Sequence, residues 1–130
     1  MDCPLILTFD IGTQSMRGIL VDSQGNFVAS KQLKYQPAYY SPSANWAQQK
    51  SNYYYEILCQ ISLELKEKYP EAYKRIEGVT LTCFRDSVVF LDEDLKPVRD
   101  IILWLDQRKS VYQGEFGSVK STLFHLVNMY

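Results

Sequence analysis

The chain has 130 residues, 46% of them hydrophobic, enough to bury one core and to predict a single folded unit. Its 14 basic and 15 acidic residues leave a formal net charge of −1, which argues against a nucleic-acid partner and against a solvated charged tail. The three cysteines, Cys3, Cys59 and Cys83, are odd in number and far apart. They fit reduced thiols better than a zinc site or a secreted disulfide scaffold, and with no leader-like or membrane-length apolar run the expected location is the cytoplasm, away from membranes.

Leu5 to Phe9 is a short apolar run, rich in residues that favour strands, and predicts a buried strand ending at Asp10. A second strand spans Met16 to Val21 after a tight turn. Asp22-Ser23-Gln24-Gly25-Asn26 is dense in turn formers. From Phe27 to Gln36 the odd positions are mostly apolar and the even ones mostly polar, the period of a half-buried strand.

Pro37 to Asn45 predicts a loop, and Ser51 stands where a helix cap would stand. Tyr54, Leu58, Ile61 and Leu65 recur at steps of four, three and four, the stripe of an amphipathic helix that runs to Tyr69 and stops at Pro70. In the Tyr53-Tyr54-Tyr55 run one ring is expected buried and two exposed. Trp46 reads as a packing lid on the preceding loop. Val79, Leu81 and Cys83 alternate with Thr80 and Thr82 as a fourth strand, and Ser87 to Leu91 predicts a fifth, entering the turn from Asp92 to Pro97.

Ile101 to Trp104 is short and apolar, and helical pieces are expected over 107–112 and 119–129. His125 has no second ligand nearby and receives no role. The segments "ILVDSQGNFV" (19–28) and "VFLDEDLKPV" (89–98) echo each other in pattern. Three strands, a helix and further strands predict an α/β fold: a mixed sheet with flanking helices.

Three constellations could carry chemistry. In Asp10-Ile11-Gly12-Thr13-Gln14-Ser15-Met16-Arg17, a turn with a glycine and successive hydroxyl and amide side chains can aim several donors at one anion, with Asp10 placed to hold a magnesium ion. The same residues also serve as ordinary turn formers. Phe84-Arg85-Asp86-Ser87 sits where the fourth strand gives way to the fifth, and its Arg85-Asp86 pair can both donate to and accept from the hydroxyls of a sugar, or form a plain surface pair. Trp104-Leu105-Asp106-Gln107-Arg108 offers an aromatic face and a carboxylate, or simply the end of a core strand.

Taken in order, "FDIGTQSMRGILVDSQGNFVA", "NWAQQ", "TLTCFRDSVVFLD" and "PVRDIILWLDQR" resemble four segments of the FGGY family of carbohydrate kinases, the group that includes glycerol kinase and xylulokinase. The resemblance covers roughly residues 5 to 110. It implies an actin-like, ribonuclease H-like fold and transfer of the ATP γ-phosphoryl group to a sugar or polyol hydroxyl with Mg²⁺.

Carried over by position, Asp10 would sit near the metal and phosphates, and Gly12, Thr13, Gln14 and Ser15 would form the phosphate turn, with Arg17 neutralising charge. Arg85, Asp86, Trp104, Asp106 and Arg108 would bind or line the sugar site. Gln14 departs from the hydroxyl residue common at its place, and Asp86 from the Glu of glycerol kinase and the Met-His pair of xylulokinases.

Family members are several times longer, and their catalytic base lies beyond residue 130. The chain is therefore expected to be the N-terminal part of a first actin-like domain and inactive alone, with homo-oligomerisation through uncovered apolar surface a further expectation. The alternative is a non-catalytic actin-like module that binds nucleotide or carbohydrate.

Overall fold

The computed structural model describes residues 3–109. Three strands open the chain, β1 (Leu5–Ile11), β2 (Ser15–Asp22) and β3 (Phe27–Lys34), followed by the short β4 (Gln48–Gln49), the helices α1 (Tyr53–Lys68) and α2 (Pro70–Tyr73), then β5 (Ile76–Cys83) and β6 (Ile101–Ile102). The main sheet has the order β3-β2-β1-β5. β1 pairs antiparallel with β2 and parallel with β5, which makes the sheet mixed, as expected.

Alternation decides which face is covered. Leu5, Leu7 and Phe9 on β1 and Met16 and Leu20 on β2 are almost fully buried, and they meet Ile57, Ile61 and Leu65 of α1. The buried seam is thus 57, 61 and 65, with Tyr54 and Leu58 half-buried beside it. Closeness is set at Gly18: a Cβ there would lie 2.6 Å from Ile61 Cγ2, so only a glycine lets α1 cross β2 at this depth. A Lys31–Glu64 ion pair ties the rim of α1 to β3.

Ile76 at the start of β5 packs against the core, but the cover is lost further along that strand. Val79 and Leu81 share a sheet face with Leu7 and Phe9 yet are 64% and 56% exposed. Of the three tyrosines, Tyr53 and Tyr54 are both half-buried and Tyr55 is exposed, so two rings rather than one join the core. Burial pushes the Tyr54 phenol up to about 12.

Several local expectations change. Ser51 does not cap α1: its hydroxyl donates to the Arg99 carbonyl, and Asn52, already helical in φ and ψ, occupies the cap position without a side-chain bond. Pro70 ends α1 but also starts α2, where its missing N–H costs nothing.

Residues 87–91 form no strand. They join 97–98 only through the Leu91–Pro97 bridge and the Val98 amide to the Phe90 carbonyl, a single bridge at the foot of the Asp92 turn that does not continue into a ladder. Residues 107–109 are not helical, and the other helical expectations in the tail lie outside the described residues.

The echo between 19–28 and 89–98 has a structural meaning. In each turn the aspartate carboxylate accepts amides two and four residues on, at 2.9 Å each for Asp22 and at 3.0 and 2.8 Å for Asp92. The turns also share a left-handed residue, Gly25 (φ 83°) and Leu95 (φ 61°).

A second small core of Ala47, Ile101 and Leu103 packs with Tyr54, Phe84 and Leu105 where β4 pairs with β6. Gln49, only 4% exposed, is satisfied there: its amide donates to the Pro37 and Ala38 carbonyls and its oxygen accepts the Lys50 amide. Among the described residues, no helix is long and apolar enough to cross a membrane.

Candidate functional site

β1 and β5 run parallel with Ile11 opposite Cys83, so the turn after β1 and the turn after β5 leave the same edge of the sheet side by side. The Phe84 amide donating to the Ile11 carbonyl at 3.2 Å fixes that neighbourhood. Ligands of α/β sheets gather outside the carboxyl ends of parallel strands, and both sequence-predicted turns stand at such an end.

In the first turn, the Gly12 amide donates to the Ser15 carbonyl at 3.0 Å, and the Gln14 carbonyl accepts the Tyr35 amide at 2.9 Å. Gly12 therefore shapes the turn and spends its own N–H in closing it. A Cβ on Gly12 would stand 3.1 Å from that same carbonyl.

Both hydroxyls of the turn receive a donor from outside it. Thr13 Oγ1 accepts the Trp104 indole N–H at 3.0 Å, and Ser15 Oγ accepts the Gln32 amide at 2.9 Å. A hydroxyl whose oxygen already accepts keeps its proton to donate, which suits it to an anionic ligand. Arg17 donates to the Gln32 oxygen at 3.2 Å, and its guanidinium stays exposed.

Asp10 is exposed on the face opposite α1, in register with Arg17 and Thr82, and it forms no ion pair among the described residues. Its oxygens are open to a cation or to a cation's waters. Mg²⁺ is commonly held by one or two carboxylates together with phosphate oxygens, so the donor set fits that ion only with a nucleotide beside it. No cluster of three metal-ligating side chains occurs among the described residues.

The second turn is sharp because Asp86 adopts the left-handed region (φ 60°), which aspartate tolerates better than most residues. Arg85 and Asp86 are both exposed. Ser87, next in the chain, accepts the Trp104 backbone amide at 2.9 Å, so Trp104 touches both turns at once.

Asp106 is arranged differently from Trp104. Its side chain is 3% exposed, and both oxygens are taken: Arg108 meets them with Nε at 2.7 Å, Nη2 at 2.6 Å and its own amide at 3.0 Å, and the Ala47 amide donates at 2.6 Å. Arg108 above all, with the Ala47 amide, holds this carboxyl far below the usual carboxylate range. Arg108 in turn lies 3.8 Å over the Trp46 ring. The pair clamps the 44–47 loop and closes one wall beside Ala44, Asn45 and Trp46.

Gln32 did not stand out in the sequence, and Ser87 did so only as the last member of the Phe84-Arg85-Asp86-Ser87 stretch. The alternation of β3 marks Gln32 as an outward polar residue, and its cross-strand place opposite Arg17 is the signal that could have singled it out.

Residues 5–115 match the family model described as "FGGY family of carbohydrate kinases, N-terminal domain". The chain belongs to the FGGY family of carbohydrate kinases. It is 31% identical over 105 residues to the xylulose kinase of Lactococcus lactis, an alignment covering 81% of this chain and 21% of that protein.

Among solved FGGY structures, xylulose kinase from Rhodospirillum rubrum superposes with a TM-score of 0.73 at 28% identity over 80% of this chain and 21% of that one. The fold is also shared with Plasmodium falciparum glycerol kinase solved with ADP, at a TM-score of 0.63 and 22% identity over 98% of this chain and 24% of that one. The FGGY chain thus has the actin-like, ribonuclease H-like α/β fold of sugar kinases. It spans about a fifth of the length of the curated relatives it matches.

Proposed function

We propose that this chain is the N-terminal part of the first actin-like domain of an ATP-dependent carbohydrate kinase, and that it supplies the phosphate turn and part of the sugar site. One observation carries this reading: the parallel pairing of β1 and β5 sets the Gly12–Ser15 turn and the Arg85–Asp86 turn at one sheet edge.

Phosphoryl transfer depends more on positioning and charge neutralisation than on covalent chemistry. The Thr13 and Ser15 hydroxyls and the Gln14 amide would donate to nucleotide phosphate oxygens, and Arg17 would offset their charge. Mg²⁺, held by Asp10 directly or through water, would supply further neutralisation between the phosphates. Arg85 would donate to substrate hydroxyls and Asp86 would accept from them, against the face of Trp104. Asp106 and Arg108 would serve the same pocket from its wall, by fixing the 44–47 loop.

In the transfer the acceptor hydroxyl oxygen bonds to the γ-phosphorus, the bond to the β–γ bridging oxygen breaks, and ADP leaves. The hydroxyl proton goes to a base in the part of the protein that this chain does not span, so the 130-residue chain alone is expected to show no turnover.

The test is a thermal-shift series on the intact protein with xylulose, gluconate, glycerol and related polyols, each with and without Mg·ATP. One acceptor class should stabilise the protein and be phosphorylated. Arg85→Ala should abolish that stabilisation while leaving the shift with Mg·ATP in place. An intact protein that binds no member of the panel and consumes no ATP overturns the proposal.

A further inference from the structure

Trp104 is the one described residue bonded to both turns: its indole N–H donates to Thr13 Oγ1 at 3.0 Å and its backbone amide donates to Ser87 Oγ at 2.9 Å. These three residues come from the β1–β2 turn, from the loop after β5 and from the segment after β6. We propose that Trp104 is a positioning residue that couples the hydroxyl site to the phosphate turn, so that a polyol and a nucleotide each tighten binding of the other.

An indole nitrogen can only donate, whereas a threonine hydroxyl has one proton and two lone pairs. The Trp104–Thr13 bond therefore has a fixed direction, and it leaves the Thr13 proton for an acceptor. A phosphate oxygen is such an acceptor, and a donor that is itself accepting a hydrogen bond is polarised into a stronger one. Ser87 is in the same condition, with its oxygen taken by the Trp104 amide and its proton left over beside Asp86.

The Trp104 side is open, since the residue is 54% exposed with its N–H engaged. A polyol lying on the ring fixes the indole, and the fixed indole holds Thr13 in its donating arrangement. The converse follows by linkage: a phosphate on Thr13 draws the same hydrogen bond tight and presents the ring. The aromatic face alone does not account for this coupling, because a phenyl ring offers the face without the N–H.

The proposal rests on the kinase reading above, and the test separates the two. Binding of Mg·ADP to the intact protein is titrated with and without a saturating polyol (xylulose, gluconate or glycerol, whichever stabilises it), in the wild type and in Trp104→Phe. The wild type should bind Mg·ADP at least about fivefold more tightly with polyol present. Trp104→Phe should bind the polyol more weakly, and with the polyol raised to saturate the variant its enhancement of Mg·ADP binding should fall to less than about twofold.

A ligand-free readout accompanies it. The Trp104 indole N–H resonance, assigned by its loss in Trp104→Phe, should shift and exchange faster with water in Thr13→Val and stay in place in Thr13→Ser. A wild type that binds neither ligand overturns the kinase reading and the coupling with it. A wild type that binds both without enhancement, an enhancement that survives in Trp104→Phe, or an indole resonance indifferent to Thr13→Val overturns the coupling and leaves the kinase reading standing.

Discussion

Gly18 tests whether the depth at which α1 packs on the sheet is set by one missing side chain. A Cβ at this position would lie 2.6 Å from Ile61 Cγ2, 3.2 Å from Leu65 Cδ1 and 3.3 Å from Phe9 Cε1. Carbon atoms in contact prefer about 3.5–4.0 Å, so the nearest pair must open by roughly 1 Å. Ile61 is fully buried and Cγ2 sits on its β-branch, where it moves only if χ1 leaves its well or the helix backbone shifts.

Overpacking of this kind costs about 1–3 kcal/mol, and the stiffer unfolded chain of an alanine returns roughly 0.4–1 kcal/mol. Gly18→Ala should therefore destabilise by about 1–2 kcal/mol, read as a lowered urea midpoint at unchanged m-value. The cause is checked by adding Ile61→Ala, which alone should cost about 2–5 kcal/mol. Combined with Gly18→Ala it should cost less than the sum, because the new methyl fills part of the space Ile61 vacates. A Gly18→Ala protein as stable as the wild type, or strict additivity in the double variant, would refute the packing account.

Leu95 occupies the left-handed conformation that Gly25 occupies in the matching turn, and it is 77% exposed. Leu95→Asn should raise stability by about 0.5–1 kcal/mol, because asparagine tolerates that region and no buried contact is lost; thermal unfolding reads it.

Asp106→Asn should lose about 1.5–3 kcal/mol at neutral pH by breaking the charged bonds to Arg108. Since folding depresses the Asp106 pKa, its stabilisation is complete above its ordinary value of 3.8 and fades as the pH falls below it, so the gap between variant and wild type should narrow in acid. A gap constant from pH 7 down to pH 2 would count against the ion pair as its source.

Gln32→Leu removes the partner shared by Ser15 and Arg17 and should weaken Mg·ADP binding by about 3–10-fold, with polyol binding changed little. Isothermal titration of each ligand distinguishes that outcome from a general loss of fold.

What the sequence made legible is what local pattern decides. The β1–β2 hairpin follows from two apolar runs around a Gly-Thr turn, and α1 from its stripe of Tyr54, Leu58, Ile61 and Leu65, although the deepest seam falls on Ile57, Ile61 and Leu65. The strand expected over Ser87 to Leu91 failed on its partner: apolar β-formers were present, but all that pairs with them is the short return from the Asp92 turn, and that pairing ends after the one Leu91–Pro97 bridge. Ser51 failed as a cap because an acceptor 48 residues away, the Arg99 carbonyl, competes for its hydroxyl.

The site divides along the same line. The two turns themselves were readable, because each is a run of turn formers and hydrogen-bonding side chains at a strand end. Their allegiances were not. Asp106 and Asp86 look alike in a sequence as carboxylates two residues or fewer from an arginine, yet one is locked inward by Arg108 and Ala47 and the other stands exposed on a left-handed turn.

Trp104 meets Thr13 across 91 residues, a separation that no periodicity reports. The parallel register of β1 and β5 prepares that meeting, by bringing to one edge the two turns, each ambiguous alone, that Trp104 then bonds. Topology therefore supplies the shared place that neither motif has alone, and the residue that bridges the turns is the one whose alteration should show whether the edge works as one site or as two.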